Sequence, residues 1–218
     1  MTSPHNPPTR TRIKVCGITR PADGLAAVAC GVDALGLVFY PKSPRGVDLA
    51  CAEAIVAVLP PFVAVVALFV DPPPAWVSTV LSRLPVDLIQ FHGTESPAFC
   101  TAFGRPYLKA IPMRPDTHLA QEARNYATAR ALLVDTYRPG IPGGSGESFD
   151  WNQLPTERPF PLILAGGLTP TNVASAIHQV RPYAVDVSGG VESAKGIKNP
   201  TLMAAFTRAV QQANQTLA

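Results

Sequence analysis

A short apolar run followed by a helical pattern recurs eight times along this chain, and no other feature limits the fold so strongly. The strand-like runs are residues 12–16, 34–39, 63–69, 87–91, 107–111, 131–135, 162–165 and 184–187. Helical patterns lie near 21–30, 48–59, 74–84, 96–103, 117–129, 170–180 and 200–215, with a short one near 150–154. The repeat is about 25 residues, close to the minimum for a strand, a crossover helix and two turns. Such alternation predicts a parallel sheet with helices outside it. Eight units predict an α/β fold of one kind, a single (β/α)8 TIM barrel with a parallel eight-stranded sheet. An open doubly wound sheet would want a glycine-rich first turn, and no GxGxxG follows the first run.

The barrel is expected to occupy residues 12–218. Residues 1–11 (MTSPHNPPTRT) hold three prolines and no apolar core, so they read as a flexible tail and not as a signal peptide. At 47% apolar and 15% charged, the chain has ample material for a core, which excludes intrinsic disorder. Its net charge of +3 is too balanced to imply a nucleic acid or a membrane surface as partner. The run at 54–70 has no charge, but Pro60–Pro61 divides it. It reads as the end of a helix followed by a strand, not as a membrane span. Four cysteines, at 16, 30, 51 and 100, form no CxxC and no zinc-ligand spacing with histidine. They read as free thiols of a cytoplasmic protein without a structural metal.

Side chains alternate between the faces of a strand, so parity tells which residues face the barrel interior. Ile13 and Val15 oppose Lys14 and Cys16; Ile89 and Phe91 oppose Gln90 and His92; Val185 and Val187 oppose Asp186 and Ser188. Apolar sets belong against the helices, so the polar sets point inward. Cys16, Gln90, His92, Asp135 and Ser188 then converge on the C-terminal mouth, where barrel active sites are built. Cys16 is either a buried small hydrophobe or a thiolate beside a glycine turn. Asp135 is either a loop cap or an acid facing that thiol. Arg45, in PKSPRGV, is either a solvated charge or a fork for a carboxylate. Lys14 and Asp186, one layer deeper, suit an interior ion pair. Gly166–Gly167 and Ser188–Gly189–Gly190 follow the seventh and eighth runs, where barrels bind phosphate on backbone N–H groups. The long loop at 136–148 contains Gly143 and Gly144, which suit a lid or a second anion cradle.

These segments resemble a known family. KVCGIT, DALGLVFYPKSPR, QFHG, LLVDT with a following GGSG, LILAGGL and RPYAVDVSGGVE are similar, in this order, to the phosphoribosylanthranilate isomerases of tryptophan biosynthesis. The resemblance runs from about Arg12 to the last helix. It implies a (β/α)8 barrel and an Amadori rearrangement of N-(5-phospho-β-D-ribosyl)anthranilate to 1-(2-carboxyphenylamino)-1-deoxy-D-ribulose 5-phosphate. It further implies Cys16 as general base, Asp135 as general acid and Arg45 as holder of the anthranilate carboxylate. Gly166, Gly167, Ser188, Gly189 and Gly190 would hold the phosphate. Gln90 and His92 would line the pocket. No cofactor is implied, because the substrate's own nitrogen serves as electron sink. Two positions depart from the family pattern: Phe91 stands where Leu is usual, and Gly189 where a second Ser is common.

Three other readings keep the same barrel. Another phosphosugar isomerase of the histidine pathway would need aspartates ending the first and sixth strands, and the first ends in Cys16. Indole-glycerol-phosphate synthase would need a Lys and Glu set that Lys109 alone does not supply. A non-catalytic phosphate-ligand binder would keep the glycine loops and lose the acid or the base. The expected partner is a small phosphorylated sugar–anthranilate conjugate, and the expected state a monomer or weak homodimer.

Overall fold

The computed structural model describes residues 10–136, 149–155 and 158–217. Eight parallel strands close into a barrel in sequence order: β1 (Arg12–Cys16), β2 (Ala34–Val38), β3 (Ala64–Phe69), β4 (Leu88–Phe91), β5 (Tyr107–Met113), β6 (Ala131–Thr136), β7 (Leu162–Leu164) and β8 (Ala184–Val187). Seven α-helices surround them: α1 (Pro21–Ala29), α2 (Leu49–Ala57), α3 (Pro74–Arg83), α4 (Pro97–Thr101), α5 (Leu119–Asn125), α6 (Val173–Val180) and α7 (Pro200–Leu217). Between β6 and β7 the described helical element is a single 3-10 turn, Trp151–Gln153, at the short pattern near 150–154. The strands thus fall where the apolar runs predict them, within two residues at each end. The α5 pattern shortens most, losing residues 117–118, which follow a turn in which Thr117 bonds Arg114 N–H and the Pro112 carbonyl, and residues 126–129 at its other end.

Pro60–Pro61 separates α2 from β3, as the sequence predicts. No helix among the described residues is long and apolar enough to cross a membrane. A small antiparallel pair after β8, β9 (Glu192–Ala194) with β10 (Ile197–Lys198), has no counterpart in the sequence pattern. Its strands are too short to show any period.

Two apolar layers hold the fold. The outer and larger one lies between sheet and helices and contains Ile13, Val15, Ile89, Phe91, Leu132, Val134, Val185 and Val187. Phe91 packs there with Phe99, Phe103 and Tyr107, so the departure from Leu is absorbed outside the barrel. The inner layer fills the barrel with Val66, Leu108, Ala110, Ala131, Leu133, Ile163, Ala165 and Ala184. Small and branched residues alternate in it, as a packed interior of limited width requires. Above it lie Lys14, Gln90 and Asp186, and then the mouth, with Cys16, Val38 and Leu68.

The last helix closes the ring. Asn214 of α7 accepts from Thr11 N–H at 2.8 Å and donates to the Thr11 carbonyl at 3.2 Å. Arg10 pairs with Asp33. Both Arg10 and Thr11, placed with the tail by sequence, are therefore bound to the barrel.

Candidate active site

A cavity of about 620 Å³ opens at the C-terminal ends of the strands. Cys16, Arg45, Gln90, His92, Asp135, Gly166, Gly167, Ser188, Gly189 and Gly190 all line it. Strand parity thus places Cys16, Gln90, His92 and Asp135 at this cavity, and the loops after β2, β7 and β8 add Arg45, Ser188 and the glycines. Gly143 and Gly144 lie outside the described residues.

Cys16 ends β1 and is buried. Burial pushes its thiol up from the ordinary value. Lys14 and Lys198 pull the other way, and Asp186 adds to the rise. Gly17 follows at φ +75°, a left-handed turn that favours glycine.

Asp135 ends the inward face of β6. Its Oδ1 accepts from Thr136 N–H at 2.8 Å, and its Oδ2 lies 3.2 Å from His92 Nε2. His92 is set in turn by Gln90, whose Nε2 sits 2.9 Å from His92 Nδ1. With the amide donating there, the neutral imidazole carries its hydrogen on Nε2, toward Asp135. Gln90 Oε1 is buried without a partner among the described residues. The row Gln90–His92–Asp135 fixes the carboxylate's orientation, as a positioned acid requires.

Arg45 is not a solvated charge. Its side chain is 13% exposed, and its Nε and Nη2 donate to the two oxygens of Glu192, each at 2.8 Å. Glu192 also accepts from Lys198 Nζ at 2.8 Å. Burial would raise the Glu192 carboxyl, but these two cations hold it below its ordinary value. Lys198 further donates to the Ser188 carbonyl at 3.2 Å, and burial lowers its own ammonium. Ser188 Oγ donates to the Cys16 carbonyl at 3.0 Å. Glu192 and Lys198 are the residues that sequence reasoning missed. The acidic residue right after the glycine turn, in GGVE, was the available signal.

The two glycine turns meet face to face. Gly166 and Gly167 have φ of +84° and +61°. A side chain at Gly190 would place its first carbon 1.9 Å from the Leu168 carbonyl oxygen, so only glycine fits. The N–H groups of Gly166, Gly167, Gly189 and Gly190 have no acceptor among the described residues. Four free backbone donors around one lobe of a cavity suit a phosphate. No cluster of three or more His, Cys, Asp or Glu among the described residues could hold a metal. Lys109 faces away from the cavity and pairs with buried Glu95 at 3.0 Å.

Comparison with known proteins places the chain in a family and supports the barrel fold. The family model for N-(5'phosphoribosyl)anthranilate (PRA) isomerase matches residues 13–209. The N-(5'-phosphoribosyl)anthranilate isomerase of Pseudomonas putida strain W619 is 55% identical over 205 residues, covering 94% of this chain and 100% of that protein. The crystal structure of the phosphoribosyl anthranilate isomerase from Thermotoga maritima superposes with a TM-score of 0.85 at 38% identity, over 93% of this chain and 99% of that one. A phosphoribosyl anthranilate isomerase crystallised with reduced 1-(o-carboxyphenylamino)-1-deoxyribulose 5-phosphate gives 0.82 at 37% identity, again over 93% and 99%.

Proposed function

Because this chain belongs to the N-(5'-phosphoribosyl)anthranilate isomerase family, and so carries out the Amadori rearrangement of N-(5-phospho-β-D-ribosyl)anthranilate in tryptophan biosynthesis, we propose that Cys16 is its general base and Asp135 its general acid. The observation that supports this assignment is the shared cavity, with a thiol at the end of β1 and an oriented carboxylate at the end of β6.

The chemistry follows from those positions. Asp135 gives its proton to the furanose ring oxygen as the C1–O bond breaks, and the anthranilate nitrogen becomes an iminium. The charge left on Asp135 meets the N–H of Thr136 and the His92 ring, which are already in place. The iminium acidifies the C2 hydrogen, and the Cys16 thiolate removes it to give an enolamine. The enol then passes its hydroxyl proton to solvent as C1 gains one, leaving the 2-ketone. The nitrogen is the electron sink, so no step draws on a cofactor. Positioned acid and base each contribute roughly 10²–10⁴-fold.

At one end of the substrate, the N–H groups of Gly166, Gly167, Gly189 and Gly190 would hold the phosphate. At the other, the guanidinium N–H groups of Arg45 that Glu192 leaves free would hold the anthranilate carboxylate. The protein would work in the cytoplasm, as a monomer or weak homodimer.

The direct test is loss of anthranilate-type fluorescence when the protein meets freshly generated substrate. Rapid decay is expected with the wild type. Cys16→Ala and Asp135→Asn should each lose activity by orders of magnitude while keeping the fold. Near wild-type turnover of Cys16→Ala would exclude the thiol as the base, and near wild-type turnover of Asp135→Asn would exclude the carboxyl as the acid.

A further inference from the structure

Directly beneath Cys16, in the barrel interior, lies an ion pair that none of the acid–base steps uses. Lys14 Nζ is 2.9 Å from Asp186 Oδ1, with side chains 5% and 7% exposed. Lys14 precedes Cys16 by two residues on the inward face of β1, and Asp186 lies directly across from Lys14 in the register with β8. On the other side, β2 presents Gly36 opposite Cys16. A side chain there would put its first carbon 2.8 Å from Cys16 Sγ and 3.1 Å from Lys14 Nζ. Sulfur and ammonium thus meet over the space that glycine leaves, and any larger residue at 36 would push into both.

A buried ion pair is a poor way to fill a barrel. Desolvation opposes it, and an apolar pair of similar volume is often as stable or more so. Its position against the thiol gives it another use. The remaining charges around Cys16 are already committed. Lys198 bonds Glu192 and Ser188, Arg45 bonds Glu192, and Asp135 faces His92. Lys14 has three N–H donors and a single ion-pair partner among the described residues.

We propose that Lys14 and Asp186 are positioning residues that set the ionisation of Cys16: Lys14 holds the thiolate, and Asp186 limits how much of that positive charge reaches the sulfur. This rests on the reading of Cys16 as the base. On ionising, Cys16 releases its proton to water, and Lys14 remains an ammonium shared between sulfur and carboxylate. The signs of the surrounding charges agree: Lys14 lowers the thiol and Asp186 raises it, with Lys14 the stronger of the two.

The test uses two variants with opposite expected signs. Asp186→Asn leaves Lys14 to the sulfur alone. Lys14→Met/Asp186→Asn removes both charges together and strands neither. Iodoacetamide alkylation of Cys16, followed peptide by peptide across pH and normalised to its high-pH plateau, reports thiolate without reference to turnover. Below the midpoint, Asp186→Asn should alkylate Cys16 about threefold faster or more, and the double variant about threefold slower or more. Lys14→Arg, which keeps the cation, should restore most of the wild-type profile. Coincident profiles, or midpoints that move the same way in both variants, would overturn the proposal. The base assignment is judged separately, by the turnover of Cys16→Ala. If that variant is inactive while the profiles coincide, only the role of the ion pair fails. If the profiles split but Cys16→Ala turns over normally, the ion pair tunes a thiol that is not the base.

Discussion

Arg45 and Gly190 line one cavity and would hold different ends of the substrate, and each is held by a contact that allows little freedom. The Arg45 guanidinium is fixed in plane by two 2.8 Å bonds to Glu192, which leaves its outer N–H groups aimed by a rigid fork. Gly190 packs so closely on Leu168 that one added carbon must displace backbone. Arg45→Ala should remove charge-assisted bonds worth about 1.5–3 kcal/mol, or roughly 10–150-fold in kcat/KM. Inhibition by anthranilate should weaken with it, while inhibition by inorganic phosphate persists. Gly190→Ala should do the reverse, losing phosphate inhibition and keeping that by anthranilate. If both variants lose both inhibitors equally, the two ends are not distinct and the assignment of each fails. At this scale the sequence was informative where strand parity applies, as at Cys16, Gln90, His92 and Asp135. It was silent on the partner of Arg45, since Glu192 lies 147 positions away and no local pattern links the two.

The strands carry the site, but the turn after β4 depends on a second ion pair outside the barrel. Glu95 Oε2 accepts from Lys109 Nζ at 3.0 Å, both oxygens accept from Gly93 N–H, and Oε1 accepts from Asp71 N–H. One buried carboxylate thereby ties the β3–α3 and β4–α4 turns together, one residue beyond His92. Lys109→Met leaves that charge without its cation. The expected cost is about 3–5 kcal/mol, seen as a lower denaturant midpoint at unchanged slope. Lys109→Met/Glu95→Gln should recover part of it. A loss below about 1 kcal/mol in the single variant would show that the backbone donors suffice for Glu95. Strand and helix order was legible because each element repeats a period of two or 3.6 over several residues. The β9–β10 pair was not, because three residues against two carry no period, and its place is set by Lys198 reaching back to Ser188.

The described residues of the closed ring leave little apolar surface for a second copy. Among the described residues the large hydrophobics that stay exposed are Leu25, Val58, Phe62 and Ile197. Phe62 is the extreme case, fully exposed and at φ 70°, in the turn that Pro60–Pro61 opens between α2 and β3. A positive φ is strained for a bulky residue, so this ring is held outward by the turn and not by packing. One aromatic ring buries about 150–250 Å², whereas a stable interface takes about 800 Å² from each partner. Phe62 and Val58 together fall well short, so association through this end of the barrel should be weak. Sedimentation velocity should show monomer at low micromolar concentration, with dimer growing only as concentration rises. Phe62→Ser should reduce that growth without altering turnover, because the turn lies at the opposite end of the barrel from Cys16 and Asp135. A dimer that persists unchanged on dilution would mean that polar surface supplies the missing area, and the weak-association reading would then be wrong.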